Sequence, residues 1–334
     1  MPEEPADVWA MADLALPFAV RVVATLRVAD VVRDGPLPLD EIARRCGARP
    51  DPLGRVLRFL VHRDMFAEPE VDVFGPNATS DALRSDVPEG PQPWLDLDGA
   101  VGRADLAFVE LIEQVRGHHP AYTTAFGRSF WEDLAHSPEL ADSFDSLMET
   151  KTHGLAPAVA AAHDWSRYRT VADVGGGKGV LLAEILRTAE EPRGVLAELE
   201  GPARHAPEYL RDQGVGKRTE VHTANFFEPL PFRADAVVLC DVLGDWDDAD
   251  AVRILTRCAE ATTADGVVLV VELLPDTGRM SEFTEIDLRM LVYVEGRMRD
   301  LERTERIAER AGLTVVDLTP LDSGYSIMEC RPRR

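Results

Sequence analysis

Chemistry-bearing residues concentrate where short apolar runs end. The run Thr170 to Val174 ends in Asp173-Val174 and is followed by Gly175, Gly176, Gly177, Lys178 and Gly179. A helical pattern then opens at Val180-Leu181-Leu182. Glycine has no Cβ to hold a ligand away from the backbone, and the first turn of a helix has unpaired N–H groups, so strand, glycine turn and helix together suit a closely held nucleotide. At a spacing of about twenty residues a second run, Val195-Leu196-Ala197, ends in Glu198, an acid placed to accept hydrogen bonds from both hydroxyls of a ribose. Neither GxxxxGK[ST] nor GxGxxG is present in GGGKG, so the pattern points to an adenosine without phosphates.

Further polar residues fall at other strand ends: Asn225, Cys240 and Glu272. Ligands of open α/β sheets bind beyond the carboxyl ends of the strands, so these positions converge on one site with Asp173 and Glu198. Two titratable groups have open readings. His153, on the helix that enters this region, is either a substrate-facing base or a solvent-facing side chain. Asp241, one residue past Cys240, is either a surface carboxylate or an acid with a shifted pKa.

The elements that position these residues alternate strand and helix from Arg169 to the C-terminus. Strands are expected near 170–174, 195–198, 218–222, 236–240, 266–272, 313–318 and 325–330. That is the pattern of a Rossmann-like sheet. From Asp7 to Val32 the apolar spacing predicts an amphipathic helix that Pro17 kinks or divides. Short helices follow from Leu39 and Pro52, then a strand at Val71 to Phe74, which is the order of a winged helix. Residues 88–165 read as helical and aromatic-rich, with Ser129 and Ser137 as caps; most aromatics there are core, and some are expected to line a flat apolar pocket. The expected division is 1–86, a winged-helix-like dimerisation domain; 87–165, a helical substrate-pocket region; and 166–334, the nucleotide-binding domain.

Charge narrows the functions available. The 334 residues carry 36 Lys and Arg against 59 Asp and Glu, a net charge of −23. A DNA-binding winged helix needs a basic face, and Arg55, Arg58 and Arg63 stand beside Asp51 and Asp64, so dimerisation is the expected use and no nucleic acid is expected. The cysteines, Cys46, Cys240, Cys258 and Cys330, form no CxxC pair, which speaks against a structural metal and fits free thiols. No leader and no membrane span are read from the pattern, and a cytoplasmic protein is expected.

The segments DVGGGKG, NFFEPLP and VLGDWDDADAVRILTRCAEA, with the acid after the second strand, resemble the S-adenosylmethionine-dependent O-methyltransferases of plant-phenol and bacterial-polyketide type. SFWEDL (129–134), DSFDSLM (142–148) and DLRMLVY (287–293) are most similar to the actinobacterial naphthoate O-methyltransferases and the anthracycline 4-O-methyltransferase and 10-hydroxylase group. The resemblance implies a class I methyltransferase fold with a seven-stranded mixed sheet, an α-helical N-terminal domain that forms a homodimer, and S-adenosyl-L-methionine or S-adenosyl-L-homocysteine as ligand. Asp173, Gly175 and Gly177 would hold the methionine end and Glu198 the ribose. Asn225 and Phe226 would meet the adenine, Cys240 the region of the sulfonium, and Met148 and Thr152 the methionine portion. Phe130, Asp287 and Met290 would meet an aromatic substrate.

Two departures stand out. The family's general-base histidine in LHDWDD is replaced by Gly244, and the glutamate of its GGKER-like segment by Met298. Of the family's polar groups only Glu272 remains, which leaves Glu272 and His153 as catalytic candidates; Asp245 is structural in the family. Gly244 is expected to open room for a large ligand or a water. General base catalysis contributes ~10²–10⁴-fold, whereas orientation contributes up to ~7–11 kcal/mol. The expectation is therefore O-methylation of a phenolic, polyketide-derived compound by proximity. The alternatives are a non-methylating reaction (hydroxylation, decarboxylation or cyclisation) on the same cofactor and, behind it, a DNA-binding regulator.

Overall fold

The computed structural model describes residues 7–117, 119–275 and 279–333, so most of the acidic N-terminal stretch lies outside the described residues. The chain forms two compact units, one of residues 1–106 and 134–144, the other of 107–133 and 145–334. Residues 87–165, expected as a separate region, are shared between them.

In the first unit, helices Val8–Met11, Ala15–Thr25, Val28–Val31, Leu39–Cys46 and Pro50–Val61 precede a hairpin of β2 (Ala67–Glu70) and β3 (Val73–Gly75), with β1 (Leu37–Pro38) on the outer side of β3. Val23, Val28, Ile42, Leu57, Leu60 and Phe74 are fully buried at its centre. The expected long first helix is broken at residues 12–14, ahead of Pro17. Pro17 sits in the first turn of Ala15–Thr25, where its missing N–H has no partner to lose, and Asp13 accepts from the N–H groups of Ala15 (3.2 Å) and Leu16 (3.0 Å). The stretch Val8–Thr25 is long and apolar enough to cross a membrane by length and composition alone. In the structure it is two helices, the second of which buries Ala19, Val23 and Ala24 and pairs Arg21 with Asp105.

The second unit holds a seven-stranded sheet in the order β6-β5-β4-β7-β8-β10-β9, formed by β4 (Thr170–Val174), β5 (Arg193–Glu198), β6 (Thr219–Thr223), β7 (Ala234–Cys240), β8 (Thr262–Leu273), β9 (Leu313–Pro320) and β10 (Tyr325–Pro332). The first five run parallel, and β10 is antiparallel to both neighbours. Alternation along each strand feeds two cores. Val171, Leu196, Val238, Leu269 and Val271 meet the helix residues Leu155, Val159, Leu182 and Ile185 on one face. Ala172, Ala197, Leu239, Val268 and Val270 meet Ile254, Leu255 and Ile307 on the other. Chain order reverses at β4, between β5 and β7, so a crevice opens at the carboxyl ends of these strands.

Candidate active site

The glycine turn is fixed by two different constraints. Gly175, Gly177 and Gly179 have φ of +73°, +57° and +88°, in the left-handed region that costs other residues energy. Gly176 answers to Asp173: a Cβ there would overlap its carboxylate, with Oδ1 only 2.8 Å away. The Gly177 N–H donates to Glu198 Oε2 at 2.9 Å and the Leu199 N–H to Oε1 at 2.6 Å, so the ribose-binding candidate is tied to the turn from which it lies across.

Asp173 is fully buried and neither of its carboxylate oxygens has a hydrogen-bond partner among the described residues. Burial, then the nearby Glu198 charge, push it up to about 7 against a small opposing effect of the Leu182 backbone. A buried carboxylate left without a partner is costly unless a cation or donor completes it. Glu198 is raised for the same first reason, burial. Phe226 lies over the turn, with Cε1 3.6 Å from a Cβ built on Gly175. Asn225 is exposed, and its Oδ1 accepts from the Phe227 N–H at 3.0 Å, which leaves the second lone pair for a ligand.

The helix Pro138–Ala161 brings Met148 and Thr152 in as half-buried residues, with the Thr152 hydroxyl donating to the Met148 carbonyl (2.8 Å). Lys151, between them, is ion-paired with Asp241, whereas Glu149 holds Lys178 of the glycine turn at 2.6 Å. His153 is not brought into this group. It lies one turn on from Glu149, on the same side of the helix. There its ring is exposed, 3.9 Å from Glu149 and edge-on to Tyr209 at 6.2 Å. It is an exposed side chain in this structure.

Around Gly244 three chain segments meet. Leu243–Asp245 forms a single 3-10 turn; the Arg297 N–H donates to the Gly244 carbonyl (2.8 Å). Arg299 is buried and fixes this turn, with its guanidinium on the carbonyls of Leu243 and Trp246 (2.7 Å each) and on Asp248 (2.9 Å). Glu272, at the end of β8, accepts the Leu243 N–H at 2.8 Å. Burial first, then the charges of Asp241 and Asp245, raise Glu272 to about 8. Asp245 rises to about 7, again from burial and then Asp241.

The expectation that Gly244 opens room is overturned. A Cβ on Gly244 would meet Met298 Sδ at 3.0 Å, and Met298 is buried. The space left among Leu243, Gly244, Glu272, Arg297, Arg299 and Thr304 is about 10 Å³, at the floor for one water and far below a polycyclic ligand. Asp287 is occupied as well: its Oδ1 accepts the Met298 N–H at 2.9 Å, so its visible task is to seat that loop. Phe130 is buried and stacks on Tyr293 (6.4 Å, 18°), with Tyr122 edge-on at 5.4 Å; it belongs to an aromatic core, not to an open wall. Trp131 stacks on Trp246 (5.7 Å, 12°), which in turn is edge-on to Phe226 and Phe227, so aromatic surface runs unbroken from Phe226 to Phe130. Met290 is half-buried on the helix Met280–Val294. Trp131, Trp246 and Arg299 were not singled out from the sequence.

Taken together, the sheet order, the glycine turn and the carboxylates at the strand ends are those of a nucleotide-binding α/β enzyme. The O-methyltransferase domain model matches residues 108–314, and the O-methyltransferase dimerisation domain model matches residues 9–86. The chain belongs to this O-methyltransferase family and is an S-adenosylmethionine-dependent enzyme. It is 45% identical to the 2,7-dihydroxy-5-methyl-1-naphthoate 7-O-methyltransferase of Streptomyces carzinostaticus, over 96% of each chain. It is also 39% identical to the aclacinomycin 10-hydroxylase RdmB of Streptomyces purpurascens, over 96% of this chain and 88% of that one. The crystal structure of an O-methyltransferase from neocarzinostatin biosynthesis, in complex with S-adenosylmethionine and 2-hydroxy-5-methyl naphthoic acid, superposes with a TM-score of 0.92 at 43% identity, covering 98% of this chain and 99% of that one.

Proposed function

We propose that this enzyme methylates a phenolic hydroxyl of a fused-ring aromatic natural product, without a histidine base. The observation that carries this reading is the acid-lined crevice beside the unpartnered Asp173. Asp173, Glu198, Asp241, Asp245 and Glu272 stand around the strand ends, and burial first, then neighbouring carboxylate charge, raises Asp173, Glu198, Asp245 and Glu272. Such a basin favours a cationic ligand over a neutral one. The cofactor fits it and would supply a methyl group on a positively charged sulfur.

Asp173 would take the methionine ammonium, Glu198 the ribose hydroxyls, and Asn225 with Phe226 the adenine. Met148, Thr152 and Cys240 would pack near the sulfur. Aromatic surface from Trp131 and Trp246, with Met290, would orient a flat ring system and keep water out. No imidazole stands at position 244, so rate would come from orientation, worth up to ~7–11 kcal/mol. Glu272, raised to about 8, can hold or receive a proton near neutral pH, and it is the candidate to take the phenol proton. The naphthoate-methylating relative supports a bicyclic phenol as substrate. Pairing of two chains through residues 9–86 follows the family's dimerisation domain.

A second reading rests on a specific observation. Met298 closes the place where a base would stand, and the hydroxylase relative shows that the family is not confined to methyl transfer. The test is S-adenosylhomocysteine release with a panel of naphthols and hydroxyanthraquinones. Stoichiometric release with methylated product supports methylation; product formed equally well with a non-transferable cofactor analogue excludes it.

A further inference from the structure

We infer that Lys151, Asp241 and Tyr325 form a positioning triad that fixes the Met148–Thr152 turn of the long helix across the open ends of β4 and β7, where the methionine portion of the cofactor is held. The inference rests on the reading of that crevice as the cofactor site, and names residues for it beyond those already considered.

Three elements meet at this point. Asp241 follows β7 directly: its N–H still bonds the Val271 carbonyl at 2.9 Å, yet its φ is +60°, in the left-handed region. Aspartate tolerates that conformation better than most residues, but it persists only where the surroundings hold it. Here the side chain is held twice. Lys151 pairs with it from the helix, and the Tyr325 hydroxyl, from the first residue of β10, donates to the carboxylate at 3.2 and 3.3 Å from its two oxygens. The Lys151 ammonium also lies 5.9 Å from the centre of the Tyr325 ring, within cation–π range.

The helix needs such an anchor at this turn. Its later part is held by Leu155, Ala156, Val159 and Ala160 in the sheet core. Pro157, inside the helix, has no N–H for the His153 carbonyl, which weakens the ladder at the boundary between that part and the turn before it. Ahead of that boundary the turn is tied down by charge. Glu149 reaches Lys178 of the glycine turn, and Lys151 reaches the end of β7, so the two pairs span the adjacent strands β4 and β7. Met148 and Thr152 lie on this same turn. Burial disfavours the Lys151 charge, but Asp241 and then Tyr325 outweigh it and hold the ammonium above its usual range, so Lys151 stays charged.

Calorimetry on the full-length protein tests this with two ligands: S-adenosylhomocysteine, and 5′-methylthioadenosine, which has the same adenosine but no amino-acid end. Lys151→Met is expected to weaken the first by about tenfold and to leave the second within about twofold, and Lys151→Arg to restore most of the loss. Tyr325→Phe keeps the ion pair and is expected to weaken S-adenosylhomocysteine by about threefold, which provides the test if Lys151→Met does not fold. Equal loss for both ligands, or no loss in either folded variant, overturns the triad. Wild-type protein that binds neither ligand overturns the cofactor reading itself.

Discussion

Met298 Sδ crowds the place where a side chain at position 244 would begin: a Cβ on Gly244 would lie 3.0 Å from it, and 3.7 Å from Glu272 Oε2. The glycine and the methionine are therefore one packing unit, with Glu272 as their polar neighbour.

That relationship changes what a restored histidine can do. Gly244→His alone must displace a buried sulfur held in a loop that Asp287 and Arg299 fix, and overpacking of this kind costs about 1–3 kcal/mol. The single variant is expected to melt lower and to gain no rate. Gly244→His with Met298→Ala provides the volume, and is expected to accelerate transfer to a simple naphthol, within the ~10²-fold lower bound for general base catalysis. Single-turnover rates for both variants decide it. Acceleration by the single variant would show that the methionine is not an obstacle.

Asp173 gives a pH dependence with a definite sign. Raised to about 7 without a ligand, it is largely protonated at about pH 6, and a cation favours its ionised form. Affinity for S-adenosylmethionine should therefore rise from about pH 6 to about pH 7.5, with protons released on binding; above that range the ligand's own amine, near pKa 8, begins to lose charge. Calorimetry in buffers of different ionisation heat measures the protons directly. A flat affinity with no release would place the cation away from Asp173.

The same raised groups act on stability in the opposite direction. For an acid raised on folding, the folded state binds the proton more tightly, so its contribution to stability is lost as pH climbs from the unfolded value near 4 to the folded one. With Asp173 and Asp245 at about 7 and Glu272 at about 8, the ligand-free protein should lose stability progressively up to about pH 8. Thermal melts of ligand-free protein from about pH 6 to about pH 8.5 check the sign; a rising Tm would contradict it.

Much of this site was visible in the residues, and what was not has physical causes. Asp173 and Glu198 stand at the ends of apolar strands, and strand parity with the twenty-residue spacing suffices to put them together. Gly176 escaped because its constraint is the Asp173 carboxylate folding back over the turn, not a backbone angle. The consequences of Gly244 were misread because an absent side chain looks like space until the loop carrying Met298 is placed against it. Lys151 was passed over because the helix has only a weak apolar stripe and its partner, Asp241, lies ninety residues away. The division expected at Pro17 is present, displaced a few residues: proline is tolerated in the first turn of the second helix, and the break falls where Asp13 accepts the Ala15 and Leu16 N–H groups.

Gly176 yields the most direct test of the turn. Gly175, Gly177 and Gly179 fail as alanine because of backbone conformation, but no positive φ is recorded for Gly176, so Gly176→Ala should fold. Its methyl group would nevertheless fall on the Asp173 carboxylate, which must then leave the place where the ammonium is proposed to bind. The expected result is a loss of at least about tenfold in S-adenosylhomocysteine affinity with a small change in Tm. Asp173→Asn should cost a similar factor without crowding, and the double variant should cost little more than either alone, because both remove one interaction. Additive losses in that cycle would mean that the glycine and the aspartate serve the ligand separately.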